Sequence, residues 1–173
     1  GIGLASGTIS QVVDRVVKNR HKKPNWAKTE LLIVDEVSML SLKIFTIIDL
    51  IAKRVKRQRD IPFGGMQIIF AGDFYQLPPV GDEEEIETTQ FCFESPLWNE
   101  VFPLTNQIIL KTIFRQTDNN YAKILNKLRV GEITKNGIKA LEQCVNKKFN
   151  DRLNPTILLP RRKDVDNINI KEY

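Results

Sequence analysis

LLIVDE at residues 31–36 and MQIIFAGDFYQLPPVG at residues 66–81 decide the fold. Each is a short apolar run that stops abruptly at polar residues: Asp35-Glu36 after the first, Asp73 and then Gln76 after the second. Apolar side chains at successive positions suit strands buried on both faces, the pattern of a parallel sheet. Between the two runs, Ser41 is placed to cap a helix over 42–58. Leu42, Phe45, Ile48, Ile51, Ala52 and Val55 share one face of it, opposite basic residues. Strands of this type alternating with amphipathic helices predict an α/β fold around a mainly parallel sheet with flanking helices.

Outward from this unit, GIGLASGTISQVVDRVV (1–17) opens with Gly1, Gly3 and Gly7 and passes into a helix carrying Val12, Val13, Val16 and Val17 on one face. NRHKKPNWAKTE (19–30), interrupted by Pro24, reads as a connecting loop. DEEEIETTQ (82–90) reads as a solvated acidic segment, and FESPLW (93–98) as a turn running into a short helix. NQIIL (106–110) is expected to form a third strand. Helices are expected over 121–130, with Ile124, Leu125 and Leu128 inward, and over 137–149. NPTILLP (154–160) begins a fresh strand, followed by the start of a helix.

Composition narrows the class. At 173 residues, 42% apolar and 27% charged, the chain has room for one ordinary domain and a piece of a second. Its apolar runs stop at four or five residues, where a membrane helix needs about 20. Two cysteines and one histidine cannot build a four-ligand zinc site or a disulfide framework, and a reducing compartment fits them. Gly1 stands where an initiator methionine would, so the chain reads as cut from a longer protein. The net charge of +5 is unevenly spread: residues 1–60 hold 12 Lys/Arg against 6 Asp/Glu, residues 61–110 none against 8, and residues 111–173 14 against 7. Basic flanks can serve a polyanion, but they also arise as ordinary solvated helix faces. Lys53, Arg54, Lys56, Arg57 and Arg59 are read as one such face, with nucleic acid the lesser reading.

In parallel α/β sheets, ligands gather at the carboxyl ends of the strands. An aspartate at the tip of such a strand can hold Mg²⁺, which prefers hard oxygen ligands and keeps much of its water. The adjacent Glu36 can take a proton from an attacking water. Asp73 is read as capping a turn, Phe74 and Tyr75 as packing beneath the loop, with base stacking the alternative, and Pro78-Pro79 as stiffening it. Trp26 and Trp98 are read as core or edge anchors, and Cys92 and Cys144 as small apolar residues.

VDEVSML (34–40), GGMQIIFAGDFYQLPPV (64–80) and IFRQTD (113–118) together resemble the petite-integration-frequency family of ATP-dependent DNA helicases, in the RecD-like branch of superfamily one. GIGLASG, FCFESPLW, ILNKLRVGEIT and TILLPRRKDVDNIN extend the resemblance over nearly the whole chain. It implies a RecA-like P-loop NTPase fold, incomplete here, with residues 1–153 the later part of a first motor domain and 154–173 the start of a second. It further implies Asp35 on the Mg²⁺ of ATP, Glu36 as general base, Gln76 as γ-phosphate sensor, and Arg115 as a cation on the leaving phosphoryl group. Arginine suits that role because its planar fork of donors stays charged. An amide such as Gln76 can donate to a phosphate oxygen and change partners when that oxygen departs. DNA contacts are implied for Gly1, Gly3, Phe74, Tyr75, Pro78, Arg161 and Arg162.

The implied activity is 5′-to-3′ translocation on single-stranded DNA with duplex unwinding, by a monomer, in repair, recombination, replication or telomere maintenance. GxxxxGK[ST], the loop that cradles phosphates, occurs nowhere in the 173 residues. In the family it lies upstream, on a strand beside that of residues 66–72, whose edge is therefore expected to be unpaired. A nucleotide-driven switch or packaging ATPase, and a truncated module that only binds DNA or a partner, are the rival readings.

Overall fold

The computed structural model describes residues 6–147 and 156–172. The chain divides into two compact units, Gly1–Ala122 and Lys123–Tyr173. Gly1, Gly3 and the expected domain boundary at 153/154 lie outside the described residues.

In the first unit, α1 (Ile9–Lys18) starts at a reciprocal cap. Thr8 Oγ1 accepts the Gln11 N–H at 3.3 Å, and Gln11 Oε1 accepts the Thr8 N–H at 2.9 Å. α2 (Lys22–Lys28) occupies the stretch expected to be a loop. Pro24 does not prevent it, because it sits in the first turn, where the backbone N–H has no intrahelical partner to lose. β1 (Leu31–Val34) and β2 (Gln67–Phe70) pair in parallel, with Leu31 opposite Gln67 and Val34 opposite Phe70. α3 (Leu42–Lys56) connects them, capped as expected by Ser41, whose Oγ accepts the Ile44 N–H at 3.3 Å.

The core lies between α3 and one face of this sheet. Phe45 is fully buried and meets the rings of Phe63, Phe70 and Trp98 at centroid distances of 5.3, 6.1 and 5.9 Å. α1 lays Val12, Val13 and Val16 against Ile47, Ile51 and Val55 on another face of α3. Trp26 of α2 packs on both clusters, and Trp98 opens the short helix α4 (Trp98–Val101). Both tryptophans are anchors, as read from the sequence.

The strands depart from the two-face expectation. Leu32, Val34, Ile68 and Phe70 are half-buried, whereas Leu31, Ile33 and Ile69 are 42, 61 and 44% exposed. One sheet face is covered by α3; the other is open among the described residues. β2 pairs with β1 alone among those residues. NQIIL is not a strand: Ile108, Ile109 and Leu110 are 86, 80 and 88% exposed in an extended segment. A strand needs a partner's edge, and none lies alongside among the described residues.

Two backbone devices fix the entry to β2. Asp49, buried on α3, accepts the Phe63 N–H at 2.7 Å and pairs with Lys53 at 2.8 Å. Gly64 follows at φ 59°, where an added Cβ would stand 2.7 Å from the Ala52 carbonyl oxygen. Only glycine permits that approach.

The second unit holds most of α5 (Asn119–Arg129), with α6 (Lys135–Glu142) and α7 (Arg162–Glu172). Ile124 and Leu125 turn inward, but Leu128 is 50% exposed, against expectation. Helix α6 is shorter than the expected 137–149, and residues 156–159 form no strand. No helix among the described residues is long and apolar enough to cross a membrane.

Candidate active site at the carboxyl ends of the sheet

The carboxyl ends of β1 and β2 run on side by side. The Ala71 N–H donates to the Val34 carbonyl at 2.9 Å, and the Val37 N–H donates to the Ala71 carbonyl at 3.0 Å. Gly72, at φ 151°, makes this closeness possible: a Cβ there would lie 2.7 Å from the Val37 nitrogen. Asp35-Glu36 and the turn containing Asp73 and Gln76 therefore leave the sheet as neighbours.

Each side chain has a local reason for its position. One carboxylate oxygen of Asp35 accepts the Glu36 N–H at 2.9 Å, which orients the group and leaves its other oxygen for a ligand. Glu36 adopts the left-handed conformation, φ 51° and ψ 48°, which costs a non-glycine residue about 1–2 kcal/mol. Glu36 in this conformation opens the 3-10 turn Val37–Met39. Backbone strain of this kind clusters at functional positions. Asp73 turns the chain after β2, its carboxylate accepting the Tyr75 N–H at 3.1 Å and its carbonyl the Gln76 N–H at 2.9 Å. Asp35, Glu36 and Gln76 are all exposed.

Asp35 offers the hard oxygen donor that Mg²⁺ takes. Among the described residues no group of three or more His, Cys, Asp or Glu forms an all-protein cage. One carboxylate completed by water and phosphate oxygens is the usual way Mg²⁺ is held. The donor set therefore fits that ion.

Other expected residues are placed differently. Phe74 is half-buried in an aromatic cluster, edge-on to Phe91, Phe93 and Trp98 at 5.9, 4.9 and 5.9 Å. Tyr75 is 65% exposed, Pro78 is exposed and Pro79 is buried. Arg115 belongs to the first unit and lies exposed in an extended segment, with no hydrogen bond or ion pair to another described residue. In the second unit, Arg161 is exposed and Arg162 pairs with Asp166 at 3.9 Å.

Sequence reasoning missed a buried strut at the start of α3. Lys43, 2% exposed, donates to the Gly7 carbonyl and to both oxygens of Glu85, each at 2.8 Å. The acidic segment 82–90 is thus anchored rather than simply solvated. Thr88 Oγ1 accepts the Asp82 N–H at 2.8 Å, and the Gln90 carbonyl accepts the Leu42 N–H at 3.0 Å. Lysine at position 43, within the apolar start of a helix, was the available signal, since a cation there needs a partner. Burial pushes the Cys92 thiol up to about 12, so it stays protonated and behaves as a small apolar group.

Comparisons with known proteins point to one family. A family model described as PIF1-like helicase matches residues 1–138. The ATP-dependent DNA helicase RRM3 of Saccharomyces cerevisiae is 37% identical over 174 residues, covering 99% of this chain and 24% of its own length. The ATP-dependent DNA helicase PIF1 of Emericella nidulans is 36% identical over 170 residues, covering 98% of this chain and 22% of its own. Among solved structures, the Candida albicans Pif1 helicase superposes with TM-score 0.87 at 33% identity, over 99% of this chain and 38% of that one. The Bacteroides Pif1 complex with ADP-AlF3 and ssDNA superposes with TM-score 0.74 at 30% identity, over 89% and 37%. The chain thus spans about a quarter of the curated relatives quoted.

Proposed function

The chain belongs to the PIF1-like helicase family, with an incomplete RecA-like α/β fold, and from that premise we propose that it is part of an ATP-dependent DNA helicase. ATP hydrolysis in a cleft between two motor domains would drive 5′-to-3′ stepping along single-stranded DNA and separation of the duplex. Residues 1–153 would be the later part of the first motor domain and 154–173 the start of the second. The observation that carries this reading is the side-by-side exit of Asp35-Glu36 and Asp73–Gln76 from adjacent parallel strands.

Asp35 would hold Mg²⁺ in this reading, directly or through water, where the ion would supply positive charge to the phosphates. Glu36 takes the proton of the attacking water. Gln76 donates its amide to the γ-phosphate, so its turn reports whether that phosphate is present. Arg115, exposed and without a partner among the described residues, supplies positive charge at the leaving group. Tyr75, Pro78, Arg161 and Arg162 are candidate DNA contacts, as are Gly1 and Gly3, whereas the packed position of Phe74 suits support of the loop better than stacking on a base. The Bacteroides relative binds ADP-AlF3 and ssDNA, which supports the same ligand classes for this chain.

The rival reading is a module that binds DNA or a partner without hydrolysing ATP. Two measurements test the proposal, and the first separates it from the rival. ATP hydrolysis by the full-length protein should rise on adding single-stranded DNA. Residues 1–173 alone should bind MgATP weakly, because each missing charge-assisted hydrogen bond forfeits about 1.5–3 kcal/mol. A full-length protein without DNA-stimulated hydrolysis, or micromolar MgATP affinity of residues 1–173 by calorimetry, contradicts the proposal.

A further inference from the structure

At the opposite end of α3 from the candidate active site, Val17, Arg54, Arg57, Gln58, Arg59, Asp60 and Ile61 line an open cavity of about 790 Å³. Fifteen helical residues, about 22 Å, separate the two ends, so this is no extension of the nucleotide site. Arg54 is engaged by Asp14 of α1. Arg57 and Arg59 are exposed, and neither guanidinium has a partner among the described residues. Arg57 is held at φ 58° and ψ 31°, in the left-handed region that favours glycine.

The surroundings strengthen the field. Val17 brings the carboxyl end of α1 to the cavity, and Lys56 Nζ donates to the Ala27 carbonyl of α2 at 3.4 Å. Residues 14–30 and 49–60, which make up this end of the three helices, hold eleven Lys/Arg against four Asp/Glu. The negative dipole ends of the helices offset only about half a charge each. The surplus therefore far exceeds what helix capping uses, and it contrasts with the stretch 61–110, whose charged residues are all acidic.

We propose that this cavity and its basic rim form a second nucleic-acid contact, which grips the phosphate backbone of duplex DNA away from the ATP site. The guanidinium fork matches phosphate oxygens. No aromatic ring lines the cavity, so a single strand would lack the stacking platform on which it usually depends, whereas duplex bases stack on one another. A protein partner fits less well, because protein interfaces centre on apolar residues and are depleted of charge there. This face is instead polar and cationic, as surfaces that bind DNA are.

The test is fluorescence anisotropy of residues 1–173 with a labelled blunt duplex and with a single strand of equal length, across a salt series and without nucleotide. Because no ATP is involved, the outcome is separable from the fate of the helicase reading. Arg57→Gly removes the guanidinium while suiting the left-handed backbone, so its melting temperature should hold or rise as duplex binding weakens. With Arg59→Gln added, duplex affinity should fall roughly tenfold and the slope of log K against log salt should shrink by about two. Lys111→Gln/Lys123→Gln, a charge-matched control elsewhere, should keep wild-type affinity. The proposal is overturned by unchanged duplex affinity in the arginine variants, by an equal loss in the control, by preference for the single strand, or by a poly-glutamate peptide displacing DNA at equal charge.

Discussion

Replacing Glu36 with glutamine should lower ATP hydrolysis by the full-length protein about 10²–10⁴-fold, the usual contribution of a positioned general base. Glutamine has the same shape and keeps the hydrogen-bonding reach, but it cannot accept a proton from water. ATP affinity should stay near the wild-type value, since Asp35 and the metal it is proposed to hold are untouched. The substitution is also structurally quiet. Glu36 is exposed, and its left-handed turn is fixed by the backbone bond from Val37 to Ala71 and by the Asp35 carboxylate, not by its own side chain. Single-turnover hydrolysis alongside nucleotide titration separates the two quantities. Turnover within a few-fold of wild type would remove Glu36 from the chemistry.

Phe45→Ala should destabilise the first unit by about 3–5 kcal/mol, a large share of the roughly 5–15 kcal/mol available to a domain. Phe45 is fully buried and touches three other rings, so truncation both removes apolar burial and leaves a cavity that α3 and the sheet cannot close. Trp26 and Trp98 flank this core, so urea unfolding followed by intrinsic fluorescence reports the change directly. Phe114→Ala is the contrast. Its ring is 89% exposed, and removing it from residues 1–173 should move stability by no more than about 0.5 kcal/mol. Similar midpoints for the two variants would show that α3 does not hold the sheet through Phe45.

The two strands and α3 were legible because local signals agreed there: uniform apolar runs ending in acids, a serine cap and a helical stripe. The side-by-side exit of the chain after β1 and β2 followed from the same logic, since parallel strands joined by a helix bring their carboxyl ends together. What the residues could not reveal was long-range or dependent on partners. Leu31, Ile33 and Ile69 are as apolar as Leu32 and Ile68, and nothing local says which face is covered. NQIIL has strand composition, but a strand forms only against another's edge. The Lys43–Glu85 pair joins residues 42 positions apart, so the acidic segment read as loose when it is tied. The left-handed turn at Glu36 leads into the backbone bond from Val37 to Ala71, which no pattern around residue 36 records.

The most direct measurement is a crystal structure of the full-length protein with Mn²⁺, ADP and aluminium fluoride, located by the anomalous signal of the metal. The account predicts a Mn²⁺ peak bound to the Asp35 carboxylate or one water away, with the Gln76 amide on the fluoride-bearing group. A metal and nucleotide lying away from the ends of β1 and β2, with Asp35 and Gln76 turned apart, would contradict it.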